Sequence, residues 1–320
     1  MTAVVAAAAA LAAGAVVGIV AAQTSGEVRS AGEPVAPAEP REGPPPLALE
    51  LGFRTDAEAR DLRRAVALYR EGELARAKAL FDRHSSLEAR IGSAFAAWPD
   101  GTVSLLGRLA ALNPRRAVVH LHLGLARLWA GEPGAEEAWL EAASVEPDTP
   151  AAVTAGDLLH PSFAPGLPVF VPGFDPPDRI TRLPPQRQLA ALAAAARTGG
   201  VDERLLYGIG LQRVGRPVSA AREFAAAARA APERADAQVA DAVGRFDKER
   251  PEAAFSRLGP LSRRFPNAAT VRFHLGLLLL WSGDVEGAVR QLEQASRVEP
   301  GSPLATEAAR YLERLRRDGG

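Results

Sequence analysis

The feature that most limits what this chain can become is a period. Laid out in steps of 34, residues 201–302 fall into three rows, 201–234, 235–268 and 269–302. The eighth column reads Gly208, Ala242, Gly276, and the twentieth Ala220, Ala254, Ala288. The twenty-fourth reads Phe224, Leu258, Leu292, the twenty-seventh Ala227, Leu261, Ala295, and the thirty-second Pro232, Pro266, Pro300. Such rows are the mark of stacked helical hairpins, none of which can bury its apolar face without a neighbour. Small residues at columns 8 and 20 let two helices approach, the large residue at column 24 fills the gap to the next hairpin, and proline stops the second helix.

A weaker copy lies upstream. His122, Leu123, Gly124, Leu128, Trp129 and Gly131 repeat as His274, Leu275, Gly276, Leu280, Trp281 and Gly283, all at an offset of 152 residues. Asn113-Pro114 pairs with Phe265-Pro266 at the same offset. Two related helical blocks follow, a divergent one over 55–147 and a regular one over 201–302. The first block opens near Thr55, which with Glu58 has the form of a capping box. Trp98-Pro99-Asp100-Gly101 separates two of its helices. Residues 303–320 are an amphipathic helix and tail, with Leu304, Ala308, Tyr311, Leu312 and Leu315 on one face, suited to cap the array.

The rows resemble the tetratricopeptide repeat (TPR), and 269–302 is the best match. The resemblance is to a bacterial, membrane-anchored member of that family. It implies an all-α fold of helical hairpins (an α-solenoid) in two blocks; the N-terminal transmembrane helix expected ahead of them is read from residues 1–22 and not from the resemblance. It also implies that the first helix of each row lines a concave groove for a protein or peptide partner. By that resemblance the groove residues are Leu205, Ile209, Gln212 and Arg213, then Val239, Val243, Phe246 and Asp247, then Phe273, Leu277, Leu280 and Trp281. Gly208, Ala220, Phe224, Ala254, Leu258, Gly276, Ala288 and Leu292 are the repeat-packing residues. The family's carboxylate clamp of Lys and Asn has no counterpart at these positions, so the groove is mostly apolar. Two readings of it stand: a partner-binding groove, or core covered by the chain's own insertion.

Residues 3–22 carry no charged or polar side chain and are long enough to cross a bilayer core of about 30 Å. A membrane anchor, a cleaved signal peptide and a buried helix compete, and the anchor is favoured because a proline-rich tether follows and no positive n-region precedes. Arg29 and Arg41 beyond the run lean toward a cytoplasmic body at a single-pass cell membrane. Residues 23–54 then read as a proline-rich disordered spacer. Between the blocks, 148–200 combines a proline-rich segment with one helix over 185–198. Its prolines forbid long helices, yet Phe163, Leu167, Val169, Phe170, Val171 and Phe174 are too apolar for a solvated linker. The insertion is therefore expected to dock, across the groove or at the junction of the blocks.

The excluded functions are broad. The 38 acidic and 38 basic residues leave no net charge to favour nucleic acid, and the absence of cysteine removes disulfides, thiolate metal sites and thiol nucleophiles. His84, His120, His122, His160 and His274 lack metal spacing and read as local packing residues. Arg310, Arg314, Arg316 and Arg317 complement a helix C-terminus rather than mark a phosphate site. There is no phosphate-loop lysine, HExxH or GxSxG. The chain reads as no enzyme, with no metal or cofactor, and as a membrane-tethered protein-interaction scaffold. The alternatives are an envelope-assembly or cytochrome-maturation helper, and an accessory domain of an enzyme whose catalytic subunit is another chain.

Overall fold

The structure, a computed structural model, describes residues 39–318, and every regular element among them is an α-helix. The chain divides into two compact units between Pro161 and Ser162.

In the first unit three hairpins follow one another: α1 (Ala57–Arg70) with α2 (Leu74–Phe81), α3 (Leu87–Ala96) with α4 (Thr102–Leu112), and α5 (Ala117–Ala130) with α6 (Ala135–Val145). A single helix, α7 (Pro150–Leu159), closes the unit against α6 and α5. Local chemistry sets the starts. The side chains of Asp56, Ser86 and Thr149 accept from the backbone N–H three residues on, and proline follows at the first position of α7. The cap of α1 is thus Asp56 and not Thr55, because the Asp56 carboxylate reaches the Ala59 N–H at 2.9 Å.

The second unit begins with an extended stretch, a single turn α8 (Asp178–Thr181) and α9 (Pro185–Thr198), which packs on α10. Its hairpins are α10 (Val201–Arg213) with α11 (Pro217–Ala230), α12 (Ala235–Val243) with α13 (Glu252–Arg264), and α14 (Ala269–Trp281) with α15 (Val285–Val298). Their first helices begin at 201, 235 and 269, in step with the rows. The last helix, α16 (Pro303–Asp318), buries Leu304, Ala308 and Leu312 together with residues of α14 and α15.

Two expectations need correction, and a third is not reached. The spacer assigned to 23–54 does not include 39–54. Residues 39–54 lie extended on the first unit, with Pro45, Leu47 and Leu51 buried, since three apolar side chains in ten residues are worth more packed than solvated. The segment 148–200 is not one insertion, because α7 within it belongs to the first unit and is started, not blocked, by Pro150. The run 3–22 lies outside the described residues, and among the described residues no helix is long and apolar enough to cross a membrane.

The helices are held close by glycines under large side chains. A Cβ on Gly92 would enter the Phe81 ring, one on Gly208 the Phe224 ring, and one on Gly276 would press on Leu292. Both rings are fully buried and have nowhere to go. Gly107, in α4, has open space around its Cα instead. Gly92→Ala and Gly208→Ala should each destabilise the fold by about 1–3 kcal/mol. Gly107→Ala should stabilise it by roughly 0.5–1 kcal/mol through helix propensity. Opposite signs in urea titrations of these variants are the expected outcome, and a gain for Gly208→Ala would refute the close contact.

Candidate functional site

Proline removes backbone donors, so a proline-rich strand can lie in a groove with few N–H groups left to satisfy. Each unit uses this. In the second, residues 163–174 run as an extended strap over the first helices of the three hairpins. Phe170 points inward and is 1% exposed, while its neighbour Val169 points out at 47%. The Phe170 ring stacks on His274 (centroids 5.0 Å apart, planes at 19°) and meets Phe224 edge-on at 5.7 Å.

Two of the strap's N–H groups go to side chains. The Phe170 N–H donates to Gln212 Oε1 at 3.0 Å, and Gln212 Nε2 donates back to the Pro168 carbonyl at 3.4 Å. The Val171 N–H donates to His274 Nε2 at 2.9 Å, and His274 Nδ1 donates to the Thr270 carbonyl at 2.7 Å. Those two bonds fix the tautomer, because an Nε2 that accepts must be unprotonated. Upstream, Lys248 Nζ donates to the Ala164 carbonyl at 2.8 Å and lies over the Trp281 ring.

The first unit repeats the arrangement with residues 40–51. The Ala48 N–H donates to His122 Nε2 at 3.3 Å, and His122 Nδ1 donates to the Val118 carbonyl at 2.6 Å. The Tyr69 hydroxyl donates to the Pro45 carbonyl at 2.6 Å. Tyr69 and Gln212 hold the same station, each three residues before the positive-φ glycine that ends its helix, Gly72 and Gly215. Leu47, buried, stands where Phe170 stands. The straps also share a bend, since Gly43 (φ 73) and Gly166 (φ 85) each lie two residues before the bonded proline. A left-handed backbone at that point suits glycine alone among the common residues. The shared pattern is Gly-x-Pro-x-apolar-x, with the last N–H on a buried histidine.

Burial sets the electrostatics. Both imidazoles are inaccessible to solvent, and desolvation pushes each down to about 4 although its carbonyl partner opposes this. Glu50 behaves oppositely. Its carboxylate accepts from the Ala151 N–H in the first turn of α7, yet desolvation dominates and raises it to about 7. Burial likewise raises the Tyr69 phenol.

The expected groove residues separate into three groups. Leu205, Ile209, Val239, Val243 and Phe246 are buried in one cluster with Phe170, and Trp281 packs at its edge. Gln212 bonds the strap directly. Phe273 and Leu277 instead belong to a cluster with α16 residues, with Leu280 at its edge, and Arg213 is exposed. Phe273 meets Tyr311 at 5.9 Å, so the terminal helix takes that part of the stripe. Gly208, Ala220, Phe224, Ala254, Leu258, Gly276, Ala288 and Leu292 sit between the helices of the hairpins, and all are buried. Sequence reasoning missed His122 and His274 as strap acceptors. Their identical setting at one offset was the available signal. Arg310 and Arg317 pair with Glu307 and Glu313, and Arg314 lies over Tyr311.

No protein-family model matches this chain, and no curated protein sequence does. Several solved structures are similar. YrrB, described as a TPR protein with an unusual peptide-binding site, covers 80% of this chain and 92% of its own at 16% identity, with a TM-score of 0.29. Yeast Tom70 covers 86% and 67% at 11% identity with a TM-score of 0.32. Human IFIT1, described as a dimer with PPP-AAAA, covers 83% and 66% at 16% with 0.33.

The buried histidines make stability depend on pH with a definite sign. The unfolded chain protonates them near 6.5, the folded one only near 4. Their contribution is complete above 6.5 and lost as pH falls toward 4, on the order of 3 kcal/mol each. Glu50 works against this in the first unit, since its raised value favours the folded state at low pH and loses that effect as pH rises through about 7. His274→Gln keeps an oxygen for the Val171 N–H but cannot titrate. Its loss of stability between about pH 7 and about pH 5, read by urea denaturation, should be smaller than that of the parent chain. An equally steep loss would show that His274 does not carry the dependence.

Proposed function

We propose that the protein is a protein-interaction scaffold, tethered to a membrane through residues 3–22, whose grooves are held by built-in peptide ligands. The observation that carries this reading is the recurrence of one binding arrangement in both units. An extended proline-bearing segment lies on the first helices, with a buried apolar anchor and a backbone N–H on a neutral histidine. A groove that recognises a strand through its backbone and one anchor accepts a foreign strand with the same features. The straps then act as intramolecular competitors whose high effective concentration a partner must overcome. The twenty-residue apolar run supports the tether, and the two arginines beyond it favour a cytoplasmic body.

Two measurements test the reading. Gln212→Ala removes both Gln212 bonds to the second strap and leaves the buried anchor in place. It should raise the amount of one stoichiometric partner crosslinked to the full chain in its native membrane by about tenfold, taking the two bonds at about 0.5–1.5 kcal/mol each. Equal yields from variant and parent would count against strap displacement. Deleting residues 1–22 should move the protein from the membrane pellet to the supernatant. A deleted chain that still pellets would remove the tether.

A further inference from the structure

The two straps remain in register beyond the shared glycine, and there the units part. Three residues upstream of Gly166 is Phe163; three upstream of Gly43 is Pro40. The Phe163 ring meets Phe246 edge-on at 6.2 Å, and Phe246 in turn meets Trp281 at 6.2 Å. The end of the second groove is therefore closed by an aromatic side chain seated against Phe246, which itself meets Trp281.

The first unit has tryptophans at both receiving positions, Trp98 half-buried and Trp129 buried beneath Arg41, and no aromatic side chain at the position of Phe163. Trp129 corresponds to Trp281 in the repeat. Trp98 corresponds to Phe246, because buried Ala89, Ile91 and Phe95 fall in step with buried Ala237, Val239 and Val243. Both residues also donate their N–H to the carbonyl three positions earlier, at 3.0 and 3.1 Å. At this end the first unit has a cleft of about 450 Å³, lined by Pro40, Arg41, Trp98, Pro99, Val103 and Trp129. Its volume is that of an ordinary small-ligand site. The Arg41 guanidinium lies 4.9 Å over the Trp129 ring, which sets a cation against any ring entering beside it.

We infer that this cleft receives an aromatic side chain from a protein partner, presented on an extended segment in which proline follows the aromatic residue two places on. The form of that ligand is drawn from Phe163-Ala164-Pro165 in the second unit. Residues 1–52, which include the first strap, contain no Phe, Tyr or Trp to fill it. This goes beyond the strap-displacement reading, because the cleft is open with the first strap in place.

The probe is an end-blocked peptide of residues 160–166, His-Pro-Ser-Phe-Ala-Pro-Gly, titrated into the full-length protein and followed by tryptophan fluorescence and calorimetry. Saturable binding is expected, weakened at least about tenfold when the peptide's Phe is Ala. Ser104→Arg, an exposed change on α4 at the cleft wall, should abolish binding and leave the melting curve unchanged. Trp98→Phe, which installs the second unit's residue, should retain it. No saturation, or equal binding of the Ala peptide, would overturn the assignment. Binding that survives Ser104→Arg would place the peptide in the second groove instead and overturn it too. Self-association of the chain that Ser104→Arg abolishes would give the cleft to a second copy rather than a partner. Strap displacement predicts no effect of Ser104→Arg on the partner gained with Gln212→Ala, so the two readings fail separately.

Discussion

Each unit closes on its own strap through a backbone N–H donated to a buried, neutral imidazole. An extended chain in a groove carries donors that helices cannot satisfy, and a buried donor left unpaired costs about 1–3 kcal/mol. Proline removes several of these donors. The rest need acceptors fixed in place, and a histidine whose other nitrogen is tied to its own helix's carbonyl is such an acceptor. His122 and His274 are each tied four residues back along their helix, so the helix that lines the groove also aims the ring. The cost is titration, since the acceptor works only while unprotonated.

Around this common bond the units diverge in ways that packing explains. The second anchors its strap with Phe170, whose ring covers His274 and reaches Phe224; the first uses the smaller Leu47 and lets Phe95 cover His122 edge-on at 5.1 Å. The first adds Glu50, which ties its strap to the start of α7. The second adds Lys248, from a loop made longer by the early end of α12, which holds the strap carbonyl at Ala164. At the far end one unit is filled by Phe163, and the other has a cleft beside Trp98, with Arg41 over the buried Trp129.

The sequence by itself determined the hairpins and much of their contact surface. A 34-residue period places Gly208 against Phe224 and Gly276 against Leu292 because a helix pair repeated at fixed length must repeat its close approaches. The first block was harder to read for a physical reason. Its hairpins begin at 57, 87 and 117, every 30 residues, so α2 is short and no 34-residue frame aligns it. The apolar excess of Phe163, Phe170 and Phe174 was also enough to say that the segment packs. What only the tertiary structure decided is which surface each strap covers and what holds it there. A strap pairs with its groove through its backbone, which leaves no side-chain pattern, and Tyr69 and Gln212 share one station with unlike residues. Proline in 39–54 reads as solvated spacer until Leu47 and Leu51 are seen against helices far along the chain. The role of His122 and His274 rests on an acceptor meeting an N–H some 74 and 103 residues away, and no local pattern records that distance.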